Sequence, residues 1–154
     1  MKNTKKIIVL AFIIGFVFIF PAAAQKTKSD FQKMYMDFLK KKGYSPSIDN
    51  DGDILFRIEG YTFYVLVREK EPKLFEIIHG TDVSEIPMQK CLEAANYANI
   101  NSDGASVCIV SNPNGKVVIF SVVTIVLKPK DFQLVFPTVL ELIEDAAEAF
   151  ISQL

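Results

Sequence analysis

The 154-residue sequence is short of the residues that build reactive sites. It holds two cysteines, one histidine, seven glycines and seven prolines, and its 17 Lys and Arg nearly balance 18 Asp and Glu. Two cysteines are too few for a disulfide scaffold. One histidine and two cysteines, without any C-x-x-C or H-x-x-x-H spacing, make a poor zinc ligand set. A nucleophilic cysteine needs an imidazole beside it and a third group orienting the ring, and nothing near His79 in the sequence supplies them. No glycine-rich phosphate loop is present, because Gly52 and Gly60 fall in tight turns. Linkers, low-complexity tracts and internal repeats are also missing, and the length fits one domain. The expectation is therefore a chain with no cofactor, no metal and no catalysis of its own.

What the sequence has in excess sits at its start. Lys2, Lys5 and Lys6 precede an apolar run from Ile7 to Phe20, and Pro21-Ala22-Ala23-Ala24 then offers an A-x-A site. A basic start, a short apolar run and small residues read as a signal peptide over 1–24, with a mature domain over 25–154. A spanning helix wants about 20 apolar residues, so no membrane attachment is expected after cleavage. No cysteine stands at the cut, which excludes a lipid-modified N-terminal cysteine. Removing the leader leaves 14 basic residues against 18 acids, a net charge of −4. The apolar fraction falls from 50% to about 46%, ordinary for a globular domain. A mildly acidic surface gives no attraction to phosphate backbones, so nucleic acid is not an expected partner. The expected destination is the periplasm or the cell exterior.

Along the mature chain, Ser29 and Gln32 have capping-box spacing, and Phe31, Met34, Tyr35, Phe38 and Leu39 recur on one helical face ending at Gly43. Short β-branched and aromatic runs follow: Ile48, Ile54–Ile58, Tyr61–Arg68 and Leu74–His79, punctuated by Asp49–Asp53, Glu59-Gly60 and Pro72. A second helix after Pro87 would bury Met88, Cys91, Leu92, Ala95 and Ala98. A hairpin then crosses Asn112-Pro113-Asn114-Gly115. The last helix, from about Asp131 to Ile151, would bury Phe132, Val135, Val139, Leu142, Ile143, Ala146 and Phe150, with Pro137 weakening its first turns. The order α-β-β-β(β)-α-β-β-α makes an α+β domain with helices packed on an antiparallel sheet.

Gly43-Tyr44-Ser45-Pro46, the stretch Ile48 to Ile54, the Glu59-Gly60 hairpin and the helix end Ala94-Ala95-Asn96-Tyr97-Ala98-Asn99-Ile100-Asn101 come in an order that resembles the YbjN family. The resemblance spans about Asp30 to Phe150, and its motifs are turns and caps. It implies a compact α+β domain like the chaperones of type III secretion, in a family of proposed sensory transduction regulators without agreed catalytic residues. Asn96 and Asn99 match the family's helix-end asparagines and read as caps or as bonds to the following loop. Many members lack an export leader, so a cytosolic role does not transfer to this chain.

The remaining constellations have plain readings. Asp49, Asp51 and Asp53 alternate as calcium loops begin, but the sixth and twelfth places from Asp49 hold Ile54 and Gly60, so an Asx-rich turn is expected. His79 reads as a surface residue at a strand end. Glu141, Glu144, Asp145 and Glu148 share one side of the last helix, the pattern of a solvated face. Cys91 and Cys108 arrive at similar heights if helix and strand run antiparallel, so a disulfide and two free thiols both stay open. Val117–Leu127 is apolar on both sides, so it needs cover on both faces or a partner. The expected function is binding of a protein or peptide through Tyr61, Phe63, Phe120 and Val122, with a homodimer as one form of that use. The alternative is a carrier of a small apolar ligand, held between sheet and terminal helix.

Overall fold

The computed structural model describes residues 27–154; the expected leader over 1–24 and its expected cut site lie outside the described residues. The elements are α1 (Lys28–Lys41), β1 (Ser47–Ile48), β2 (Ile54–Ile58), β3 (Tyr61–Val65), β4 (Leu74–Asp82), α2 (Met88–Asn101), β5 (Ser106–Asn112), β6 (Gly115–Ile125), a 3₁₀ turn (Pro129–Asp131) and α3 (Phe132–Ile151). The strands form one sheet in the order β1-β2-β3-β4-β6-β5, every neighbouring pair antiparallel. The expected α+β architecture is the observed one.

Local chemistry sets the element ends. The cap of α1 lies two residues before the expected Ser29: Thr27 Oγ1 accepts from Asp30 N–H, and the Asp30 carboxylate accepts from Thr27 N–H at 2.8 Å. A carboxylate at the third position of the helix closes this capping box more strongly than the neutral amide of Gln32 could. Gln32 instead donates to the Gly52 carbonyl, tying α1 to the first turn of the sheet. β3 stops at Val65 and not at Arg68, because Asp53 Oδ1 takes the Val67 N–H at 2.7 Å and draws the chain away from its ladder. β4 runs three residues past His79, because the long β6 supplies Ile119, Val118 and Val117 as partners for Gly80, Thr81 and Asp82. The second hairpin turns on Pro113-Asn114 and not on Asn-Gly. Proline fixes a negative φ at the first loop position, so the positive φ falls on Gly115 (145°). A Cβ there would lie 2.2 Å from Ser84 Oγ, so the hairpin base closes on the loop before α2 only with glycine.

The three helices cover one face of the sheet. Every second residue points there: Ile54 and Phe56 from β2, Phe63 and Val65 from β3, Phe75, Ile77 and His79 from β4, Val118, Phe120 and Val122 from β6. α1 and α3 meet over them through edge-to-face rings, Tyr35–Phe132 at 4.8 Å, Phe38–Phe132 at 4.9 Å and Phe38–Phe136 at 5.1 Å. α3 buries Phe136 and Leu140 where Val135 and Leu142 were expected, a rotation of the stripe toward α1. Its helix continues through Pro137; that residue and Gln133, whose carbonyl loses its partner, both face solvent.

α2 departs further from expectation. It buries Cys91, Ala94, Ala95 and Ala98, while Leu92 and Met88 are exposed. Its small residues allow close approach to α3 and β5, and Leu92 is half exposed. Asn99 explains the placement. Its side-chain amide donates to the Val107 carbonyl and accepts from the Val107 N–H, both at 2.8 Å, so α2 is clamped to the strand β5, where a cap or a bond to the following loop was expected.

Candidate functional site

Among the described residues no helix covers the opposite face of the sheet. β4 places Leu74 and Ile78 there, and β6 places Val117, Ile119, Val123 and Ile125 there; none of these belongs to the packed core. Val123 is 52% and Ile125 76% exposed, and Leu127 just beyond is 85% exposed. Antiparallel sheets usually turn a polar face to solvent, so an aliphatic one is an interaction surface in waiting.

One charged pair interrupts this face. Glu76 projects from β4 opposite Val123 and is only 8% exposed; it accepts from Arg68 Nε at 2.8 Å and from a second guanidinium nitrogen. That bond raises the guanidinium's already high pKa. Nothing local in the sequence marks Arg68 and Glu76 as partners, since the loop between them brings them together. Beyond Arg68 the face runs into a depression of about 560 Å³ lined by Lys28, Asp51, Asp53, Glu69, Lys70 and Glu71 among others. Charges of both signs line it, and Lys28 is already committed to the Asp51 carbonyl.

The four residues expected to form a contact cluster do not share an accessible surface. Phe63, Phe120 and Val122 are 3%, 2% and 3% exposed under the helices; Tyr61 shares their face, edge-on to His79 at 5.6 Å, but is exposed at the start of its strand. The physical reason is parity: these positions alternate with the open-face residues along their strands, so burial of one set exposes the other. His79 is likewise no surface residue. It is buried in mid-strand, stacked on Phe120 at 5.9 Å and tilted against Phe63 at 5.0 Å. Its Nδ1 donates to the Thr62 carbonyl at 2.8 Å, and Nε2 bonds Thr81 Oγ1 at 2.9 Å, so both ring nitrogens are satisfied inside the core.

The cysteines are free: Cys91 is buried in α2, and Cys108 is exposed on the open face. The sheet stands between them, since Val107 takes the inward place on β5 and Cys108 the outward one. The Asp49 carboxylate accepts from the N–H groups of Asp51 and Asp53, and Asp53 is spent on Val67, so these acids close a turn. Among the described residues no group of His, Cys, Asp and Glu is placed to hold a metal ion. The acids of α3, Glu141, Glu144, Asp145 and Glu148, all face solvent. Between sheet and terminal helix, where an apolar ligand was the alternative expectation, the space is filled by Phe75, Phe132, Phe136 and Tyr35. No helix among the described residues is long and apolar enough to cross a membrane.

No family model matches the sequence, and no curated protein does. The fold has solved relatives. YbjN from E. coli, a proposed transcription regulator, superposes with a TM-score of 0.62 at 11% identity, over 79% of this chain and 92% of its own. A chain of the HopA1–SchA chaperone–effector complex superposes with a TM-score of 0.50 at 15% identity, over 80% of this chain and 98% of its own. With its helix-backed antiparallel sheet superposing on both, the chain has the YbjN-like, chaperone-like fold.

Proposed function

We propose that this chain is an exported, non-catalytic binding domain that holds a segment of a partner protein against the open face of its sheet. The observation that carries the reading is the aliphatic surface of β4 and β6, left uncovered while the other face is fully packed. Apolar area stabilises an association by about 25 cal/mol per Å² removed from water, and isolated domains rarely leave so continuous a strip unused. Arg68 and Glu76, set within the strip, give a partner one polar point on which to fix its register. The fold likeness to a chaperone–effector complex and to a regulator supports a protein as the partner class.

Export to the periplasm or the exterior is supported by the basic start, the short apolar run and the A-x-A site. Intact-mass analysis of protein from the native host tests it, and a species still beginning at Met1 would remove this part of the reading. For binding, a photo-crosslinking side chain is placed at Ile119, at Val123 and, as a control, at Glu144 on the solvated side of α3. The same discrete adduct from the first two positions and none from the third is expected. Equal labelling from all three, or none, would refute the open-face assignment.

A further inference from the structure

Two apolar features of this chain lack a described counterpart: the open strip of β4 and β6, and the run from Ile7 to Phe20, broken only by Gly15. Reach, length, backbone chemistry and charge each fit the second to the first.

The described chain begins at Thr27, at the head of α1. There Lys28 donates to the Asp51 carbonyl and lines the depression that also holds Leu66, Val67 and Arg68. Arg68 reaches Glu76, and Glu76 lies opposite Val123, so the start of α1 opens toward the Ile125 end of the strip. From the segment that carries Arg68, β6 is two strand spacings away, about 10 Å. The six residues Pro21 to Lys26 can extend over about 20 Å, enough to cross that width. The face of a sheet has its backbone groups spent in the ladder, so a segment lying on it must satisfy its own, as a helix does. Fourteen residues wound as a helix span about 21 Å, within the roughly 26 Å that β6 runs from Val117 to Ile125.

Charge sets the direction. With Phe20 near Ile125, the far end of the run arrives near Val117, and Lys2, Lys5 and Lys6 pass beyond it. Asp82 stands there on the open face opposite Val117, and Glu85 lies exposed in the loop that follows. The neighbouring Lys116 is turned to the Ile86 carbonyl. A tethered segment also works at an effective concentration of about 1 mM. A contact of millimolar grade then suffices, and on the order of 200 Å² of apolar burial supplies it.

We propose that Ile7–Phe20, while joined to the domain, lies along β6 on the open face and masks it until the leader is removed. The inference rests on the reading of that face as a binding surface, and it adds the control of that surface.

The test uses the full chain made by cell-free synthesis without membranes, so that residues 1–24 stay attached. A photo-crosslinking side chain is placed at Ile119, at Ile125 and, as a control, at Glu144. Peptide mapping should find adducts to residues 7–20 from the first two positions, those from Ile125 closer to Phe20, and none from Glu144. In a mixture of ¹⁴N and ¹⁵N protein each adduct should carry one isotope. Ile14→Asp should lower the Ile119 adduct at least about tenfold with circular dichroism unchanged, because a charge is driven into an apolar contact. No adduct to the run, equal yield from Glu144, or adducts mixing the isotopes would overturn the proposal. The two readings fail separately. A partner adduct of equal yield before and after loss of the leader refutes masking and leaves the binding function. An internal adduct in the full chain, with no partner adduct from the mature protein, upholds the contact and refutes the binding function.

Discussion

The two faces of this sheet are built from the same strands and from similar residue types, yet one is a core and the other a surface. Across the helix-covered face run Phe56, Phe63, His79, Phe120 and Val107; the adjacent row on the open face runs Leu55, Tyr64, Ile78, Ser121 and Ser106. Hydrophobicity alone does not separate them, since Ile119 and Val123 are as apolar as Val118 and Val122. The helices decide. Rings carried by α1 and α3 need rings beneath them, and the phenylalanines of β2, β3, β4 and β6 lie on one parity, so only that face offers aromatic packing.

The comparison breaks most sharply at neighbouring residues of β6. Phe120→Ala empties a site packed against His79 and Phe150 and should cost about 3–5 kcal/mol in chemical denaturation. Ile119→Ala, one residue away on the open face, should cost under about 1 kcal/mol, as partial exposure already leaves much of its surface in water. Equal losses would show that the open face is packed in solution.

The covered face also has its own response to pH. Burial pushes the Tyr35 hydroxyl up to about 12 from an ordinary 10, because the phenolate would lose its hydration. The unfolded chain ionises first, so this tyrosine's contribution is intact below pH 10 and is lost as pH rises toward about 12. The loss is at most about 3 kcal/mol. Stability measured against pH should fall over that window, and Tyr35→Phe should flatten the fall.

On the open face the charged pair is the sensitive point. Arg68→Met leaves the nearly buried Glu76 without its partner and should cost about 1–2 kcal/mol, a figure held down by the exposure of Arg68. Adding Glu76→Leu should recover most of it, read as the coupling in a double-mutant cycle. Smallest of all in stability is Val123→Lys, expected within about 0.5 kcal/mol of the parent. The same change should abolish crosslinking from Ile119 if the strip is where a partner sits, which separates binding from folding at one residue.

Much of the fold was legible because it rests on local chemistry. The face of α1 and the turns at Gly43 and Gly60 follow from spacing and from which residues tolerate a left-handed backbone, whereas the positive φ of Glu59 does not. Asn99 was legible as a helix-end bond, though not as a clamp on both groups of Val107. The site was much less legible. Alternation showed that β6 has two apolar sides, but a period of two cannot name the side that helices will cover. That is why Phe63, Phe120 and Val122 were expected at a surface and lie in the core. Leu92 was misplaced for a related reason: periodicity gives a stripe, and only packing against Val107 and α3 decides its rotation. His79 looked like a strand end because Gly80 follows it, and became a core residue when the longer β6 extended the ladder beyond it.

The order and type of the elements, the turns and the poverty of reactive chemistry are written in the chain, because each is settled within a few residues by φ preference, capping and composition. Which sheet face is open, that Arg68 reaches Glu76, that the sheet separates the cysteines and that β5 ends the sheet all came from the packed fold. These depend on contacts between segments far apart in the chain, and no local pattern encodes which of two equally apolar faces will meet a helix.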